Sequence, residues 1–62
     1  MNLIEVNEKG NRRTVLINLN LVTEIMDFGD FTRFCFLTEN DYVDAQIMYE
    51  YVKKRFMQND QL

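Results

Sequence analysis

Residues 31–38, FTRFCFLT, set the strongest constraint on what this chain can become. Aromatic and β-branched side chains suit a pleated surface, and the run contains nothing that would break a strand. Successive side chains of a strand point to opposite faces. Phe34 and Phe36 therefore share one face, while Phe31, Cys35 and Leu37 share the other. Polar interruptions are few: Arg33 on the odd face, Thr32 and Thr38 on the even one. A strand with one solvated face alternates apolar and polar residues. This one is apolar on both sides and calls for cover on both.

Turn signals bracket the run. Phe28-Gly29-Asp30-Phe31 puts Gly at the first loop position between two aromatic strand ends, which suits a type II′ hairpin. Glu39-Asn40-Asp41 makes another turn, leading to a short strand over 42–45. Upstream, residues 2–7 alternate as a strand, Glu8-Lys9-Gly10-Asn11 is a turn, and 12–17 is the returning strand. Asn18 and Asn20 favour local side-chain bonds to the backbone. They predict a tight turn or a single helical turn before a strand over 22–28.

From Ala45 the period becomes helical. Ala45, Met48, Tyr49, Val52 and Phe56 form one stripe, predicting a helix over 45–57 with Asp44 at its start. Glu50 and Lys54 add a favourable i, i+4 pair, and residues 59–62 read as a fraying tail. The expected fold class is α+β: one domain over 1–62, a small antiparallel sheet of four or five short strands, and one C-terminal helix packed on one face.

One helix covers one face, and a chain of 62 residues has little else to offer. At about 60 residues only roughly 60% of the unfolded surface is buried, and such folds usually need a staple. Cys35 is the single cysteine and there is no His, so neither an internal disulfide nor a one-chain tetrahedral zinc site can form. A second subunit is the most available staple. The competing expectation is a curled, barrel-like sheet whose core uses both faces. The expected contacts are Phe34, Phe36, Ile47 and Tyr51, with Asp27, Asp30 and Asp41 as an acidic rim. Ile47 and Tyr51 lie nearly opposite the helical stripe.

Several chemistries are closed off. Ser and His are both missing, which excludes a Ser-His-Asp triad and a Cys-His pair. Gly10 and Gly29 sit in separate turns and make no phosphate-cradling loop. Cys35, between two phenylalanines, reads as a small hydrophobe. Glu39, Asp41 and Asp44 cluster near one turn, yet without the spacing of a calcium loop they read as a solvated turn. No catalysis, no cofactor and no metal is expected.

The net charge of −3 hides a polarity: from Glu24 to Glu50 seven acids stand against Arg33 alone, a net −6. Such a centre repels phosphates and argues against nucleic acid, while it complements a basic protein surface. The N-terminal residues lack the pattern of a signal peptide, and no apolar run approaches the roughly 18 residues of a membrane span. With a free cysteine, the expected location is cytoplasmic.

Residues 15–25 (VLINLNLVTEI), followed by a strand, a turn, Tyr42-Val43 and a helix, resemble the FlbD/SwrD-type small flagellar proteins. Asn18, Leu21, Val22, Ile25, Leu37-Thr38 and Tyr42-Val43 carry the resemblance. The chain departs from that pattern at Leu19, where the family has proline, and at Asn40-Asp41, in place of Asn-Gly. The resemblance implies the topology and a small accessory protein of bacterial or phage origin, without a flagellar role. The resulting expectation is a non-enzymatic protein–protein interaction module that is homo-oligomeric and can meet a larger protein with a basic surface. Two alternatives stay open: an acidic inhibitor blocking a charged or nucleic-acid-binding site of a larger protein, and a small-ligand binder with a pocket formed between subunits.

Overall fold

Gly10 and Gly29 both adopt positive φ, 95° and 93°, and each lies in a hairpin turn. In the loop joining Phe28 to Phe31 only Gly29 is in that region, as a type II′ turn requires. The Asp27 carboxylate accepts the Gly29 N–H at 2.8 Å, which fixes the turn further. These reversals are seen in a computed structural model that describes residues 2–38 and 40–60.

Among the described residues five strands follow in chain order: β1 Leu3–Asn7, β2 Thr14–Asn18, β3 Glu24–Asp27, β4 Thr32–Cys35 and β5 Tyr42–Ala45. A 3-10 turn, Leu19–Leu21, separates β2 from β3, and the helix α1 spans Tyr49–Asp60. Asn18 caps the 3-10 turn, its side chain accepting the Asn20 N–H at 3.0 Å. The local bonding expected of the paired asparagines is thus present. All pairings are antiparallel, in a two-stranded sheet β1-β2 and a three-stranded sheet β3-β4-β5. The fold is α+β, with one C-terminal helix.

The sheets join at a corner. Glu8 bridges Ala45, the Lys9 N–H donates to the Asp44 carbonyl and the Gln46 N–H donates to the Asn7 carbonyl, each at 2.8 Å. The core fills the angle with Ile4 and Val6 of β1, Ile17 of β2, Leu19, Phe34, Ala45 and Val52.

Several boundaries differ from the sequence expectation: β3 is shorter, Glu24–Asp27 rather than 22–28, and three others have a clear local reason. β2 starts at Thr14, not at residue 12, because Arg12 takes φ 60° and its N–H bonds the Glu8 carbonyl, making it part of the turn. β4 stops at Cys35 rather than residue 38. Phe36 donates to the Asp41 carbonyl, and the Asp41 N–H returns to Thr38 to close the connection to β5. The helix starts at Tyr49, not Ala45. Residues 45–48 are held instead by β5 pairing, by the corner bond to Asn7, and by the Thr32 hydroxyl, which donates to the Ile47 carbonyl at 2.7 Å. Asp44 consequently lies on β5 and not at a helix start, and Met48 is largely exposed. The helix also continues through residues 59 and 60, where a fraying tail was expected. Glu39 and the last two residues of that tail lie outside the described residues. Among those described, no helix is long and apolar enough to cross a membrane.

Candidate functional site

The pairing of β4 with its neighbours decides which of its two apolar faces turns inward. Thr32 and Phe34 are both 0% exposed and face the core. Arg33 and Cys35 therefore occupy the outer face, beside Met26 on β3 and Tyr42 and Asp44 on β5. Register makes Arg33 and Asp44 direct cross-strand neighbours. The Arg33 guanidinium donates to both Asp44 carboxylate oxygens, at 2.6 and 3.0 Å. This fork-to-fork geometry is the strong form of an Arg–carboxylate pair. The hydrogen bond that Arg33 donates to Asp44 pushes the already high guanidinium pKa further up, so Arg33 remains a cation in any ordinary buffer.

Aromatic rings hold the same guanidinium from other directions. It lies 4.1 Å from the Tyr42 ring centroid and 4.7 Å from that of Phe28. Phe28 stacks on Phe31 with centroids 4.9 Å apart and planes within 12°. Lys9, from the first hairpin, sets its ammonium 4.3 Å from the Phe31 centroid. The result is a continuous ladder, Tyr42, Arg33, Phe28, Phe31 and Lys9, in which cations and rings alternate except at the stacked pair. Each cation over a ring is attracted by the ring quadrupole.

Exposed acids bracket this ladder. Asp27 and Asp30 sit at the β3–β4 turn, while Asp41 sits at the other end of β4, before β5. The Asp30 carbonyl accepts from Gln46 Nε2 at 2.9 Å, tying that turn to the corner. Among the described residues no group of three or more His, Cys, Asp or Glu converges as a metal ligand set. Asp44 is committed to Arg33 and is turned away from any such role.

The four apolar contacts expected from the sequence do not form one surface. Phe34 is enclosed in the core and has no side-chain surface for a partner to reach, which removes it from any interface of the folded chain. Phe36 and Ile47 pack against the core with part of their area showing. Tyr51, 60% exposed on α1, is the one that stands free. A groove of about 410 Å³ opens between β3 and α1, lined by Val22, Ile25, Val52, Phe56 and Met57, with Glu24 and Lys53 among its polar lining.

Cys35 is half-buried on the outer face with its Sγ 3.7 Å from Met26 Sδ. Burial, and then the Glu24 charge, push its thiol pKa up. The folded protein thus keeps the proton longer than the unfolded chain does. That contribution to stability is intact below the ordinary thiol range and falls as pH rises through it. The thiolate is the reactive form. Cys35 is therefore expected to react with iodoacetamide at pH 8 several-fold more slowly in buffer than in urea. Equal rates in the two conditions would show that the fold does not protect it.

Neither family models, nor curated proteins, nor solved structures match this chain. Sequence reasoning missed Arg33, Phe28, Tyr42 and Asp44 as a unit. The available signal was Arg33 itself, a lone cation among seven acids, set in an aromatic strand.

Proposed function

We propose that this chain is a non-enzymatic protein–protein interaction module, working as a homo-oligomer, which presents the outer face of β3-β4-β5 to a partner protein with a basic surface. Phe28 and Tyr42 carry this reading, exposed on one sheet face and fixed there by the Arg33 guanidinium, whose charge is paired with Asp44. Ordering side chains on binding is costly, and groups already fixed by one another avoid most of that cost. Arg and aromatic residues are also those that concentrate binding energy at interface centres. Asp27, Asp30 and Asp41 supply an acidic rim that steers a basic partner.

Affinity capture from host extract tests the reading, with wild type, Phe28→Ala, Tyr42→Ala and a Leu37→Ala control immobilised side by side. A genuine partner is expected to bind about tenfold more weakly to the Phe28 and Tyr42 variants, in line with loss of an interface anchor. It should bind Leu37→Ala as it binds wild type, and should elute as salt is raised. Capture that is indifferent to Phe28, Tyr42 and salt overturns the assignment of this face.

A further inference from the structure

An unpaired strand edge offers a row of N–H and C=O groups to another strand, and natural edges are usually guarded against it. Among the described residues β1 and β5, at the ends of their sheets, meet at the Glu8–Ala45 corner, while β2 and β3 have no strand on their outer side. β3 is guarded: it begins with Glu24 and ends with Asp27, so two copies paired there would gather four carboxylates on one short ladder. β2 reads Thr14-Val15-Leu16-Ile17-Asn18, with no charge, Gly or Pro, and its register with β1 runs without a bulge.

The phase of the β1–β2 ladder shows which groups face outward. Glu8 donates to the Arg13 carbonyl and Leu19 to the Asn2 carbonyl, so the odd-numbered residues of this stretch bond towards β1. Thr14, Leu16 and Asn18 therefore direct their backbone groups away from it. We infer that β2 pairs antiparallel with the β2 of a second copy, about a two-fold axis at Leu16. In this register each Leu16 exchanges both backbone bonds with the other Leu16. Each Asn18 N–H meets the Thr14 carbonyl of the opposite copy. The two Leu16 side chains, each 64% exposed in one chain, cover one another, and Val15 comes to lie opposite Ile17.

The occupant is a second copy because the register is complementary to itself. No charge is opposed along the strand, and the nearest cation, Arg13, is already paired with Glu8 at 2.6 Å. A ladder of five residues buries well under the roughly 1,200 Å² of a standard stable interface, so the dimer is weak and depends on concentration. The inference rests on the homo-oligomer reading above and names its interface.

Sedimentation equilibrium from micromolar to millimolar chain, combined with amide exchange, tests it. The mass is expected to rise from 7.5 kDa towards twice that value. Over the same range the Leu16 and Asn18 amides should slow at least several-fold, while Ile17, already bonded to β1, stays unchanged. Leu16→Lys, at an exposed position, should keep the fold and remain a monomer throughout. An oligomer whose Leu16 and Asn18 amides do not slow, or a Lys variant that associates like wild type, overturns this interface and leaves the homo-oligomer reading standing. A chain that stays monomeric at millimolar concentration overturns both. If the Lys variant fails to fold, the exchange pattern of the wild type decides alone.

Discussion

Phe34→Ala is expected to remove about 3–5 kcal/mol of stability at 25 °C, about half or more of what a chain of this length has. Phe34 is 0% exposed and sits in the core formed by both sheets and the helix. Truncating a buried Phe to Ala costs about 3–5 kcal/mol, from lost transfer energy and from the cavity left behind. At typical stability per residue, a chain of this length has only about 3–9 kcal/mol to lose. Urea denaturation followed by circular dichroism reads the outcome directly. Phe28→Ala serves as the comparison, since that ring is exposed on the outer face and its removal opens no cavity. Midpoints for Phe34→Ala within a few tenths molar of wild type would mean that the core closes without this ring.

Thr32→Val is expected to destabilise the protein by about 1–3 kcal/mol although it keeps the shape of the side chain. Thr32 is 0% exposed, and its hydroxyl donates to the Ile47 carbonyl at 2.7 Å. Valine fills nearly the same volume, so no cavity opens. The Ile47 carbonyl instead loses that donor in a place where water reaches poorly, at a cost of about 1–3 kcal/mol. Thr32→Ser provides the contrast: it keeps the hydroxyl and loses one buried methyl, about 1 kcal/mol. The valine variant should therefore be less stable than the serine variant, and its first helical turn should exchange amides faster. The reverse order would show that packing of the methyl, rather than the bond to Ile47, fixes the segment before α1.

The local parts of the fold were legible in the sequence. Alternation over β1, Gly29 at its turn, and the paired asparagines before β3 all act within a few residues, where side-chain chemistry and backbone preference are read together. What could not be read was the sign of an alternation. Period two divides β4 into two faces but does not say which is inner; that was decided by β1, β2 and Val52, far along the chain. Phe34 was accordingly assigned to an interface, although it is a core residue. Ala45 misled for a related reason: it is an inward residue of β5 that happens to fall in phase with the helical stripe through Val52. Arg33 and Asp44 become a pair only once the β4–β5 register is fixed, and the connection between those strands gives little local signal of its length.

The corner at Glu8 and Ala45 also bears on how fast the chain folds. Within each sheet the hairpins join neighbours in sequence, and closing such short loops costs little entropy. The corner instead joins the first strand to the last, and with it come the bonds from Lys9 to Asp44 and from Gln46 to Asn7. Long-range closures of this kind slow folding, because their entropy is lost before their contacts form. Substitutions in that seam are therefore expected to be felt in the folding rate.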